Sequence, residues 1–131
     1  MSERYTAYLY GIQSGLFIKI GFSRDIRRRL NEMNLFNPHP CKVVLRRLCT
    51  DTIWVERRMH AVLAPYAIGR EWFMIDAPLA RATATVVLDE LRQKKVDQFN
   101  FEQECLEQER ARDVQRENRK IIPLKIKGKR P

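Results

Sequence analysis

Runs of β-prone residues alternate with helical patterns through the first half of the chain. Two aromatic and aliphatic runs, residues 5–13 and 16–22, are separated by a Ser-Gly pair and predict a tight β-hairpin. A further apolar run over residues 42–49 predicts a third strand, and residues 70–75 predict a short extended segment that closes the unit.

Apolar residues at helical spacing predict a first helix after the hairpin. Ser23 is its expected N-cap, and Ile26, Leu30 and Met33 recur on one face. The helix should end before the proline-containing loop of residues 37–40, because a residue before proline disfavours the helical conformation.

A second helix is predicted after the third strand. It opens at Asp51 or Thr52, and Pro65 and Gly69 end it. Its apolar face consists of Val55, Met59, Val62 or Leu63, and Tyr66. Residues 5–76 therefore read as one small unit of mixed α and β structure.

The pattern changes after this unit. Residues 79–91 predict an amphipathic helix, and residues 102–113 are too charged for a sustained heptad seam, so we expect a projecting helix rather than a second core. The last residues hold six basic side chains and no acidic one, which favours a flexible tail. The expected divisions are a domain over residues 1–76, a helical extension over 77–118 and a basic tail over 119–131.

The net charge of the chain indicates which kinds of molecule it binds. The 131 residues include 25 Lys and Arg against 16 Asp and Glu, a formal net charge of +9. Such a surplus favours polyanions such as nucleic acid, although charge alone leaves open a basic protein without one. Three cysteines without a CxxC pair indicate a reducing compartment. With no signal-peptide pattern and no bilayer-length apolar run, we expect a cytoplasmic protein, or a nuclear one in a eukaryote, and no membrane partner.

Side chains suited to phosphodiester chemistry recur on these elements. The hairpin brings Tyr10 near Lys19, and Arg29 follows in the first helix. Glu56 and His60 lie one turn apart on the second helix. Cleavage needs a base to take a proton from water, a cation to neutralise the phosphate, and a metal ion. A tyrosine or lysine could be the base, Arg29 the cation, and Glu56 the ligand of the metal ion. One carboxylate with waters is typical of a magnesium site.

These motifs, in this order, resemble the GIY-YIG nuclease superfamily. The resemblance is to its branch known from phage reading frames and meiotically up-regulated genes, in which the second motif reads KIG. The residues that carry it are Tyr8-Leu-Tyr-Gly-Ile12, Lys19-Ile-Gly-Phe-Ser23, Arg29, Asn37-Pro38, Glu56 with His60, and Gly69-Arg-Glu-Trp-Phe73.

The resemblance implies an α+β fold, with a small three-stranded antiparallel sheet flanked by helices, and a metal-dependent endonuclease. By position Tyr10 matches the tyrosine of the first motif, with Tyr8 as the alternative. Lys19 stands in place of the second tyrosine, Arg29 matches the helix arginine, and Glu56 matches the single metal-binding glutamate. The implied cofactor is one Mg²⁺ or Mn²⁺ ion, and the implied substrate is DNA rather than RNA.

Other readings of the same residues stay open. Arg24, Arg27 and Arg28 are expected to contact phosphates, and Glu71 is a minor candidate for a second carboxylate. His60 is a candidate ligand or acid, and Glu56 with His60 could equally form a simple intrahelical pair.

Besides an active nuclease, two other functions remain possible, a nucleic-acid-binding module and an interaction protein. Lys19, together with Met33 where many relatives have histidine, leaves room for a module that binds nucleic acid without cutting it. A third possibility is an interaction protein that self-associates through residues 79–118.

Overall fold

The computed structural model describes residues 6–129, with side chains for residues 6–119. Its secondary structure comprises β1 (Ala7–Ser14), β2 (Phe17–Ser23), α1 (Ile26–Phe36), β3 (Cys41–Cys49), α2 (Thr52–Val62), a 3₁₀ turn (Ala64–Tyr66), β4 (Trp72–Phe73) and α3 (Ala77–Lys129). The predicted α+β class is confirmed, because an antiparallel sheet carries helices on its faces.

The sheet has four strands in the order β3-β1-β2-β4, one more than the three expected. The hairpin of β1 and β2 turns at Gly15, whose φ of 60° lies in the left-handed region that glycine adopts readily. The extra strand is β4, which pairs Phe73 with Ile18 and Trp72 with Lys19. Two residues are too short to show a strand period, so only the extended segment could be predicted.

One face of the sheet, which we call the packed face, carries the main core. Leu9 of β1 and Ile18 and Ile20 of β2 are fully buried there. They are covered by α2, by the residue that caps its C-terminus, and by α3, with the side chains of Val55, Met59, Leu63, Ala80, Ala84, Val87 and Leu91. Alternating residues of both strands point to this face because successive side chains of a strand point to opposite sides.

The opposite face, which we call the polar face, carries a smaller core and the charged side chains. Helix α1 covers part of it, and its buried cluster consists of Tyr10, Ile12, Ile26, Met33 and Cys41. Tyr8, Lys19 and Gly21 are on this side by the alternation of β1 and β2.

Two helix starts differ in how well they were predicted. Asp25, not Ser23, caps α1 by accepting a hydrogen bond from the backbone N–H of Arg28 at 3.1 Å. Ser23 is instead the last residue of β2, where it pairs with Tyr8. The prediction of Asp51 or Thr52 is confirmed for α2, which begins at Thr52 after a left-handed Asp51.

Helix α3 joins the two predicted helical segments into one element. Two compact units divide the chain, residues 1–91 and residues 92–131. In the first unit, α3 completes the packed-face core through Leu91. The flexible tail predicted for residues 119–131 stays a prediction, because the side chains from residue 120 onward lie outside the described part. No helix in that described part has both the length and the apolar composition that crossing a bilayer requires.

Candidate active site

A tyrosine and an arginine meet on the polar face. Tyr10, in the central strand β1, is only 2% exposed, and its hydroxyl accepts a hydrogen bond from Nε of Arg29 at 3.4 Å. The Tyr10 ring lies over Gly21, its partner in the β1–β2 ladder. A Cβ at position 21 would be 2.7 Å from the Tyr10 hydroxyl, so a glycine is required for this approach.

The surroundings of the Tyr10 hydroxyl keep it neutral. Burial raises the pKa of Tyr10, and the nearby negative charges of Glu71 and Glu56 raise it further. The hydrogen bond and the positive charge of Arg29 oppose these effects without overcoming them. The hydroxyl therefore keeps its proton at neutral pH. The charges of both carboxylates thus act on the pKa of this hydroxyl.

Lys19 is held by an ion pair on the same face. Its Nζ lies 3.4 Å from Oε2 of Glu71, and the Lys19 side chain is 15% exposed against 40% for Glu71. Lys19 is opposite Trp72 in the β2–β4 ladder, and the backbone N–H of Ile20 donates to the carbonyl of Glu71. Strand β4 thus brings Glu71 to Lys19, although the sequence marked Glu71 only as a minor candidate.

Glu56 and His60 project from α2 toward the edge of β2. Nε2 of His60 lies 3.2 Å from the carbonyl oxygen of Ile20, which can only accept, so His60 is the donor. The His60 ring also packs against Phe73, with ring centroids 5.2 Å apart. Burial raises the pKa of Glu56, His60 lowers it, and the charge of Glu71 raises it again. His60 therefore anchors α2 to β2, one turn from Glu56.

The carboxylates set limits on a metal site. Among the described side chains, no three His, Cys, Asp or Glu residues come together as a ligand set. A closed site of the zinc type needs three or four protein ligands. Mg²⁺ instead keeps several waters and accepts one or two carboxylates. Burial and, to a smaller extent, the negative charge of Glu71 disfavour the ionised form of Glu56, and a hard divalent cation would favour that form. The donor chemistry fits Mg²⁺ or Mn²⁺.

A basic cavity adjoins the site and contains an arginine that the sequence did not single out. Arg46 is opposite Tyr10 in the β1–β3 ladder, and its guanidinium lies 4.6 Å from the centroid of the Tyr8 ring. The cavity, of about 410 Å³, is lined by Tyr8, Arg24, Asp25, Ile26, Arg27, Leu30, Val43 and Arg46.

The arginines of α1 therefore separate into three environments. Arg29 contacts Tyr10, while Arg24 and Arg27 line the basic cavity. Arg28, which the sequence grouped with them as a phosphate contact, does not line this cavity; it pairs with Glu32 at 3.3 Å, with 79% of its side chain exposed. The alternation of β3 could have indicated Arg46, but the ladder shifts register between Gly11 and Ile12, which breaks the simple count along the strand.

The family comparison places this small α+β domain, with its mixed-charge face, in an endonuclease-related class. The chain belongs to the T5orf172 domain family, a phage-associated family whose profile matches residues 5–93, more than half of the chain. Comparison with curated proteins and with solved structures finds no significant match. The match extends past β4 into the part of α3 that completes the core.

Proposed function

We propose that this protein is a metal-dependent endonuclease of the GIY-YIG type, in the branch whose second motif reads KIG, and that it hydrolyses phosphodiester bonds of DNA. The observation that carries the proposal is the hydrogen bond between Arg29 and Tyr10 above Gly21, with the charge of Glu56 acting on the same hydroxyl. Membership of an endonuclease-related family supports the same reaction class.

Arg29 is the proposed clamp on the scissile phosphate. Its guanidinium has donors beyond the Nε that contacts Tyr10, and an arginine fork matches two phosphate oxygens. It also pairs with Glu32 at 3.5 Å. In this role Arg29 neutralises the negative charge that builds on the phosphate in the transition state, an effect that typically changes rates by about 10²–10³-fold.

Tyr10 is proposed to orient the attacking water. Its raised pKa means that the hydroxyl is protonated at neutral pH, and a neutral hydroxyl both accepts and donates hydrogen bonds. It accepts from Arg29, so this bond does not use its own hydrogen, which is proposed as the donor to a water or a phosphate oxygen. Lys19, held in its ion pair with Glu71, is proposed to contribute positive charge at the phosphate rather than to act as the base.

Glu56 is the proposed metal ligand, and Glu71, whose negative charge acts on Glu56, is the candidate for a second oxygen donor. A bound Mg²⁺ or Mn²⁺ would polarise the phosphate and lower the pKa of a coordinated water. The carboxylate of Glu56 must be ionised for this role, and His60 favours that form. His60 itself is proposed to position α2 through its contact with Ile20.

A module that binds nucleic acid without cutting it is the second candidate. The ion pair of Lys19 with Glu71 favours it, because this pair occupies two groups that catalysis would otherwise use. The basic cavity with Arg24, Arg27 and Arg46 would serve binding in either case.

A plasmid-cleavage assay separates the two functions. We expect the full chain to nick supercoiled DNA with Mg²⁺ or Mn²⁺ and to lose this activity with EDTA. Arg29→Ala should slow cleavage about 10²–10³-fold, and Glu56→Gln should abolish the metal-dependent cleavage. Arg28→Ala, on the same helix but away from Tyr10, is the matched control and should change the rate little.

A different result would indicate a module that binds nucleic acid without cutting it. Tight, salt-sensitive binding by the native chain without cleavage under any divalent cation would exclude the nuclease. Cleavage that persists at the native rate in Arg29→Ala would exclude the proposed clamp.

A further inference from the structure

A second cavity, of about 550 Å³, opens where three loops meet. The tip of the hairpin from Ser14 to Phe17 forms one wall, and residues 37–39 between α1 and β3 form another. Ile68 and Gly69 line the third side, next to Trp72. None of the proposed catalytic side chains is among its lining residues, so the cavity is separate from the Tyr10 site.

Aromatic side chains connect this cavity to the polar face. Trp72 is opposite Lys19 in the β2–β4 ladder, and directly opposed residues project to the same side of a sheet. Trp72 is half-buried and packs against the core cluster that contains Tyr10 and Ile12. Phe17 precedes Lys19 by two residues and therefore projects to that side as well. The ammonium of Lys19 thus has an aromatic ring beside it along the same strand.

The loop that follows α1 adds hydrogen-bonding groups. The side-chain amide nitrogen, Nδ2, of Asn37 donates a hydrogen bond to the backbone carbonyl of Met33 at 2.8 Å. Because a carbonyl can only accept, this bond fixes the orientation of the amide and leaves its oxygen as an acceptor for a ligand. The exposed imidazole of His39 lies on the same wall. Aromatic planes with a few polar groups at one side are the features with which proteins bind unpaired bases.

We propose that this cavity binds an unpaired nucleobase of the nucleic acid whose phosphate is held at Arg29 and Tyr10. The inference rests on the proposed function, since the neighbouring phosphate site brings the strand to the cavity. Gly21, beneath Tyr10, is four residues from Phe17 along β2, about 13 Å at the rise of a strand. That separation places the base one or two nucleotides from the bound phosphate. The substrate class is therefore a duplex with a flipped or bulged nucleotide, or a junction with an unpaired one.

The cavity also offers a position at which it can be filled selectively. A Cβ added to Gly69 would meet no atom within 4 Å, and Gly69 does not have the positive φ that strains other residues. A leucine at this position would add a bulky side chain at the cavity wall without a clash at its Cβ, whereas an alanine would add a single methyl group. Gly69→Leu and Gly69→Ala are thus a matched pair. Neither changes a charge or a core residue.

The test compares two short DNA duplexes by fluorescence anisotropy, in EDTA so that no cleavage occurs. One duplex has a single unpaired adenine, and the other has an abasic site at the same position. We expect the native full-length chain to bind the first duplex about tenfold more tightly, the scale of one base stacked on an aromatic side chain. Gly69→Leu should reduce this ratio to about one, and Gly69→Ala should preserve it.

Tryptophan emission provides a second readout of the same event. The chain has two tryptophans, Trp54 and Trp72, so the Trp54→Phe variant reports on Trp72 alone. We expect the duplex with the unpaired adenine to quench its emission and the abasic duplex to leave it unchanged.

The outcomes separate this inference from the proposed function. Equal, salt-sensitive binding of both duplexes by the native chain would overturn the base site and leave the nuclease intact. A preference that survives in Gly69→Leu, or an unchanged Trp72 emission, would likewise overturn it. Binding of neither duplex would overturn the nucleic-acid function and the base site together.

Discussion

The two faces of the sheet use the same strands for different purposes. On the packed face, Leu9, Ile18 and Ile20 are fully buried beneath α2 and α3. On the polar face, one residue along the same strands, Tyr10 and Lys19 are partnered by Arg29 and Glu71. The alternation of a strand therefore places a charged site one residue away from a tightly packed core.

This difference shows how a small domain stays folded although its site contains desolvated ionisable groups, which lower its stability. Desolvated groups such as Tyr10 and Glu56 have raised pKa values, which means that their charged forms are disfavoured where they lie. The burial of apolar area on the packed face offsets that cost. The packed face should therefore dominate stability, and the polar face should dominate activity.

The largest expected effect is on the packed face. Met59 is fully buried in α2, and Met59→Ala removes its contacts and leaves a cavity, so we expect unfolding to become easier by about 2–5 kcal/mol. Ile53→Ala, on the same helix but 59% exposed, is the control and should change stability by less than about 0.5 kcal/mol. Denaturant unfolding measures both. Equal losses for the two variants would contradict the assignment of the core.

A smaller change on the polar face should affect both stability and activity. A Cβ at position 21 would lie 2.7 Å from the Tyr10 hydroxyl, so Gly21→Ala must displace the ring from Arg29. We expect a loss of about 1–3 kcal/mol in stability, as for other overpacked sites, together with slower cleavage. Gly69→Ala, which meets open space, is the control and should leave both quantities near the native level. A native cleavage rate in Gly21→Ala would count against a role for the Tyr10 position.

Much of the division of the sheet into a packed face and a polar face could be predicted from the sequence. The hairpin, the third strand and α2 follow from local patterns, and the order of Tyr10, Lys19, Arg29 and Glu56 indicated a site. These features depend on residues close together along the chain.

The remaining features depend on tertiary contacts. The pairing of β4 with β2, which brings Glu71 to Lys19 and Trp72 to the second cavity, joins segments more than 50 residues apart, and β4 is too short to show a period. The position of Arg46 beside Tyr8 depends on a register shift in the β1–β3 ladder. A single sequence does not show how such ladders are aligned.

The smallest expected effect is a pH-dependent gain in stability. Because burial raises the pKa of Glu56, ionising it destabilises the folded state as pH rises through the raised pKa. Glu56→Gln should therefore raise the unfolding temperature at pH 7, and the gain should vanish at a pH below the ordinary carboxyl range. Thermal unfolding as a function of pH measures this.

Glu90 is the control of opposite sign. Its pKa is lowered by the hydrogen bonds from Arg58, so its contribution to stability is present at neutral pH and is lost as pH falls through the lowered pKa. Glu90→Gln should slightly lower the unfolding temperature at pH 7. A Glu56→Gln variant that behaved in the same way would show that Glu56 is not desolvated.

The measurement that tests the central claim most directly is a double-mutant cycle of cleavage rates with Tyr10→Phe, Arg29→Ala and the double variant. If the two side chains act together on one phosphate, removing the second after the first should cost little, so the double variant should cleave about as slowly as the slower single variant. Rate losses that multiply independently would contradict a shared site at the hydrogen bond between Arg29 and Tyr10.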